Sequence, residues 1–87
     1  MNSEETRKYL DSRYEVMAGP NTHQLWVYDN ETDLYIDPPA GVLHEVMSEL
    51  DDLWNYEKAC DMLKAIILDE NPSWLNDEGA SYDDIEI

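Results

Sequence analysis

The chain has 87 residues and a formal net charge of −16, from 21 acidic side chains against 5 lysines and arginines, yet 43% of it is hydrophobic. That length allows one domain with a small core, and its three Trp and six Tyr separate it from charged disordered chains, which carry few aromatics. The charge argues against direct binding to nucleic acid, which needs a positive footprint, and against anionic membranes. It suits a basic protein partner, divalent cations or simple solubility.

In chain order, Ser3 is a candidate N-cap. Glu4 and Glu5 follow at the positive end of a helix dipole, so a helix is predicted over residues 4–12 with Tyr9, Leu10 and Tyr14 on its apolar side. YEVMAG at 14–19 reads as a short strand that ends at GPN. HQLWVYD at 23–29 is rich in β-branched and aromatic residues and predicts a second strand. DLYID at 33–37 alternates, with Leu34 and Ile36 on one side and Asp33, Tyr35 and Asp37 on the other. The polar turn at 29–33 joins these two strands as a hairpin. Pro38 and Pro39 end the sheet.

AGVLHEVMSELDDLW then carries Val42, Leu43, Val46, Met47, Leu50, Leu53 and Trp54 at three- and four-residue spacing, an amphipathic helix. NYEKACDMLKAIILDE gives another, with Asn55 as N-cap and a buried stripe of Tyr56, Ala59, Cys60, Leu63, Ile66 and Ile67. The junction between them has no Gly or Pro, so one bent helix and two helices joined by a tight turn both fit, the second being favoured. Asn71 suits the left-handed position at the end of the last helix, and Pro72 cannot continue it. Trp74 and Leu75 are expected to pack back on the domain.

The fold class expected is α+β: a short N-terminal helix, a three-stranded antiparallel sheet, two C-terminal amphipathic helices and an acidic tail. Residues 1–79 form the domain and 80–87 a mobile tail that orders only as an added strand.

No metal site, cofactor or catalytic centre is expected. His23, His44 and Cys60 lack the close spacing of zinc ligands. DNETDLYIDPPA begins like a calcium loop but has Leu34 where glycine is needed and Ala40 where the closing Glu belongs. Cys60 lies on an apolar stripe, the usual place of an inert thiol. The N-terminus has no apolar signal region, so a cytoplasmic protein is expected.

Two features point to binding. Trp26, Tyr28 and Tyr35 share a sheet face opposite Leu25, Val27, Leu34 and Ile36. Exposed, they would be interface anchors; the other reading is that this face is core, or is covered by the first helix. The charge is also uneven. Residues 1–43 carry net −5 and residues 44–87 net −11. Glu45, Glu49, Asp52, Glu57 and Asp61 recur at helical spacing, continued by Asp83 and Asp84, and Trp74 is a further candidate anchor. Such a rail of carboxylates fits a basic groove, as nucleic-acid phosphates do, and would steer association; its bland counterpart is a solvated acidic face.

In gross character, very short, very acidic and without catalytic motifs, the chain resembles the small inhibitors encoded by phages and mobile elements, nucleic-acid mimics and anti-CRISPR or anti-restriction proteins among them. The resemblance is one of composition and aligns no residues. It implies a non-catalytic inhibitor that blocks a basic, nucleic-acid-handling protein. The alternative is a homodimeric structural or adaptor protein whose aromatic face is its dimer interface.

Overall fold

A computed structural model of the chain describes residues 3–76. The expected tail, with Asp83 and Asp84, lies outside the described residues. Helix α1 (Ser3–Arg13) has Glu4 and Glu5 in its first turn and Arg13 in its last, the arrangement its dipole favours. Ser3 is itself helical, so it is not the cap expected of it. The chain passes directly into β1 (Tyr14–Ala18), then β2 (Leu25–Asp29) and β3 (Leu34–Ile36). These form one antiparallel sheet in the order β1-β2-β3. Tyr14 lies opposite Asp29 across β1 and β2, and Tyr28 opposite Tyr35 across β2 and β3. Helix α2 (Ala40–Leu50), a 3-10 turn (Asp51–Leu53), helix α3 (Tyr56–Glu70) and a second 3-10 turn (Ser73–Asn76) complete an α+β domain.

The alternation of β2 decides which sheet face is core. Leu25 and Val27 are fully buried, and Ile36 of β3 joins them. Against that face sit Leu10 of α1, Val46 of α2, and Ala59, Leu63 and Ile67 of α3. Helix α3 is the hub, packing on β1, α1 and α2. Each fully buried Leu, Val or Ile contributes about 1.5–3 kcal/mol, so these few side chains supply most of the drive to fold. Leu75 is buried in the same core and Trp74 packs half-buried against it, so the residues after Pro72 do return to the domain.

Helix α3 begins and ends as its asparagines dictate. The Asn55 side chain accepts a hydrogen bond from the Lys58 N–H at 2.8 Å, satisfying one of the four open donors of the first turn. Asn71 takes φ 42°, ψ 59°, and its N–H donates to Ile67 C=O. Helices α2 and α3 are separate, because Asp51 adopts φ 42°, ψ −118° and breaks the ladder.

Three side-chain placements around this break are corrected. Leu53, assigned to the apolar stripe of α2, is 66% exposed, because the turn at Asp51 resets the helical phase. Tyr56, assigned to the stripe of α3, is 39% exposed in its first turn. Cys60 is half-buried at the margin of the core rather than within it. Near the other end, Tyr9 points to solvent instead of the core, held there by Glu31 and Arg13.

One buried carboxylate locks the α1 and β1 junction to the hairpin. Asp29 shares the inward parity of Leu25 and Val27. Arg13 forks onto it, Nε to Oδ1 at 2.9 Å and Nη2 to Oδ2 at 2.9 Å. The Glu31 N–H donates to Oδ1 at 2.9 Å. Asn30 Nδ2 donates to the carbonyls of Ser12 and Arg13. Burial by itself would raise the Asp29 pKa, but bonds from Arg13, the Glu31 N–H and Thr32 outweigh it and hold the carboxyl below its usual range.

Candidate functional site

The outer face of the sheet carries the predicted aromatic group. Met17 lies opposite Trp26, and Tyr28 lies between Glu15 and Tyr35. The Tyr28 and Tyr35 rings are 5.0 Å apart and tilted by 54°, a favourable pairing. The Tyr28 hydroxyl donates to Asp33. Trp26, Tyr28 and Tyr35 are each half-buried and belong neither to the core nor to the shell packed on it. The reading that this face is core is therefore wrong: it points away from the core, although its rings are only partly exposed. Trp26 is set by the loop between β1 and β2. A Cβ at Gly19 would stand 2.5 Å from the indole Nε1 and 2.7 Å from Cδ1, so only glycine lets the loop close over the ring.

The predicted carboxylates that fall among the described residues are at the surface. Glu45 and Glu49 are exposed on α2, Asp52 in the 3-10 turn, and Glu57 and Asp61 on α3. Each helix thus presents a pair four residues apart. The cations are elsewhere. Arg7 pairs with Asp69, Lys8 with Glu4 at 3.9 Å, Arg13 with Asp29 at 2.9 Å, and Lys64 with Asp11 at 3.2 Å. Lys58 takes no ion-pair partner among the described residues. Residues 40–57 contain no lysine or arginine at all. Glu49, Asp51 and Asp52 also crowd the C-terminal end of α2, which has no base in its last turn. A helix dipole makes negative charge unfavourable there by about 0.3–1 kcal/mol per group.

Next to this acidic junction is a group the sequence reading missed. The His23 ring meets Trp54 edge-on with centroids 4.7 Å apart. Trp54 meets Tyr56 in the same way at 6.0 Å. The His23 N–H donates to the Tyr56 hydroxyl at 3.2 Å, tying the loop between β1 and β2 to the start of α3. His23 was assigned to the second strand; it is in the loop instead, at φ 61°. With exposed Leu53 beside it in sequence, this corner presents apolar surface within a run of Asp51, Asp52 and Glu57. The only available signal was the pairing of a charged, glycine-free junction with Leu53, Trp54 and Tyr56.

Burial, with Asp61 adding to it, pushes the Cys60 thiol up, which suppresses the thiolate needed for nucleophilic attack. Burial also raises Asp37. Among the described residues no three His, Cys, Asp or Glu side chains are grouped to hold a metal ion, and no helix is long and apolar enough to cross a membrane. Comparison with known proteins returned no matching family model, no matching curated protein and no matching solved structure.

Proposed function

We propose that the chain is a non-catalytic, cytoplasmic inhibitor that binds a basic, nucleic-acid-handling protein, using its carboxylates in place of phosphates. The observation that carries this reading is the uncompensated charge of α2 and the following turn. Glu45, Glu49, Asp51, Asp52 and Glu57 take no cation among the described residues, and three of them lie against the α2 dipole. An ordinary solvated surface gains nothing from that placement, whereas a basic groove recovers the cost on contact. Half-buried Trp26, Tyr28, Tyr35 and Trp74, with the Leu53, Trp54 and Tyr56 corner, supply the apolar anchors such interfaces use. A component of a CRISPR or restriction system is the kind of target that fits the chemistry.

Affinity capture with the immobilised chain tests the reading. A basic nucleic-acid-binding protein is expected at low salt, released at high salt, and lost on Glu45→Lys with Glu49→Lys. Capture that ignores both salt and charge reversal would sink it. Light scattering separates the homodimer alternative: a monomer is expected.

A further inference from the structure

Strand β1 lies at the edge of the sheet, and its hydrogen-bond phase is fixed from both ends. The Asn30 N–H donates to Arg13 C=O at 2.8 Å, and the Gly19 N–H to Gln24 C=O at 2.8 Å. Both pairs share the register that sets Tyr14 opposite Asp29. Residues of an antiparallel strand turn their backbone groups alternately toward and away from one neighbour. Arg13, Glu15, Met17 and Gly19 therefore face β2, and Tyr14, Val16 and Ala18 face outward. Lys64 of α3 obeys this phase, its ammonium donating to the outward carbonyl of Tyr14 and to Asp11 C=O at 3.0 Å. Beyond that contact, the outward N–H and C=O of Val16 and Ala18 have no backbone partner among the described residues.

A groove of about 340 Å³ runs beside this open ladder, lined by Glu15, Val16, Met17, Cys60, Asp61 and Lys64. Its floor is apolar at Val16 and Met17. Glu15 and Asp61 are exposed, and neither pairs with a cation among the described residues. The one cation present, Lys64, is already held by Asp11. Open ladder, apolar floor and unneutralised carboxylates together define what would fit.

We propose that this edge takes an extended cationic segment of the partner protein as an added strand, paired to Val16 and Ala18, with its basic side chains reaching Glu15 and Asp61. Strand addition of this kind draws affinity from main-chain hydrogen bonds and specificity from the flanking side chains. Lys64 blocks pairing at Tyr14, so the added strand runs from Val16 toward Ala18. A second copy of the chain is the poorer occupant, since it brings a further −16 to the same edge. The inference rests on the reading that the partner is a basic protein and adds where, and in what conformation, that partner is held.

The probe is a synthetic peptide of alternating lysine and valine, with a glutamate and valine peptide as control, followed by amide hydrogen exchange at low salt. The lysine peptide should protect the Val16 and Ala18 amides and the control should not. Ala18→Pro removes an outward N–H at an exposed edge position, where proline is tolerated, and should weaken binding by roughly tenfold. Where circular dichroism shows that variant to be unfolded, Glu15→Lys with Asp61→Lys, both surface changes, should give the same loss. Lysine-peptide binding that leaves Val16 and Ala18 unprotected overturns the inference, as does no binding, or protection that grows with protein concentration alone and marks a dimer. The Glu45→Lys and Glu49→Lys variant keeps the two failures apart. It should lose the captured protein while keeping peptide protection at β1.

Discussion

Asp29 is the residue on which the hairpin turns. Its side chain is 4% exposed and that of Arg13 is 23% exposed, so their pair is largely shielded from solvent and salt. Removing one partner of such a pair leaves the other charge poorly solvated. Asp29→Asn keeps the shape and the acceptor for the Glu31 N–H but removes the charge, and should cost about 2–3 kcal/mol. The pH dependence follows from the sign of the shift. A carboxyl whose folded pKa is depressed binds fewer protons folded than unfolded, so it stabilises the fold above its unfolded value and ceases to do so as pH falls through the folded value. The stability gap between the native chain and Asp29→Asn should therefore be constant near neutrality and shrink as pH drops below about 4. Asp37 acts oppositely: its raised pKa means the ionised form is disfavoured in the fold, a cost that acidification relieves. Urea unfolding of both proteins across that range checks the prediction, and a gap that widens in acid contradicts it. The pair was only half legible in the sequence. Parity along LWVYD puts Asp29 on the same face as Leu25 and Val27, but alternation alone does not say that this face is core, and Asp29 also opens the polar turn 29–33. Its partner is sixteen positions earlier, where no local pattern reaches.

At the scale of elements, the sequence spoke clearly wherever a local rule governs. Alternation sorted the side chains of β2 and β3 onto two faces, though it left open which face is core, and Asn55 and Asn71 bounded α3 as capping chemistry requires. It was misleading where one element interrupts the phase of another. Counting Leu53 and Trp54 onto the stripe of α2 assumed a helix that continues past Leu50, and Asp51 breaks it with a positive φ. The exposed corner of Leu53 and Tyr56 is the consequence, so the apolar part of the candidate site was hidden by the same error. A non-glycine residue held there costs on the order of 1–3 kcal/mol, part of which glycine returns through its greater freedom when unfolded. Asp51→Gly should thus stabilise the domain by about 1 kcal/mol, a rise in Tm of roughly 4–8 °C. Asp51→Asn removes the same charge and leaves the backbone as it is. Thermal unfolding that finds the two variants equal would show that charge, and not backbone strain, dominates at this junction.

For the whole molecule the governing quantity is −16 charges on a chain with a radius of gyration of 12.8 Å. Composition announced that imbalance; it could not announce that four of the five cations are taken up by Asp69, Glu4, Asp29 and Asp11 and that the fifth, Lys58, lies outside α2, leaving α2 bare. At ~0.01 M salt the screening length is ~30 Å, comparable with the molecule's extents of 38 × 30 × 19 Å, so each carboxylate feels most of the others; at ~1 M it is ~3 Å and only touching charges interact. Two effects then compete. Salt weakens the exposed ion pairs of Arg7, Lys8 and Lys64, each worth about 0–1 kcal/mol. It also relieves repulsion among a large excess of acids, which opposes compaction throughout the chain. The shielded pair of Arg13 and Asp29 is affected least. Repulsion involves many more groups than the bridges do, so it decides the sign. Raising sodium chloride from ~0.01 M to ~1 M should raise Tm steadily, with the steepest gain at the low end where the screening length changes most. Chloride is the right salt, because sulfate stabilises folded proteins generally by exclusion from their surface. The Glu45→Lys and Glu49→Lys variant, with less repulsion to relieve, should start from a higher Tm at low salt and gain less. A native Tm that stays flat or falls across the series would mean that the exposed bridges outweigh the acidic excess.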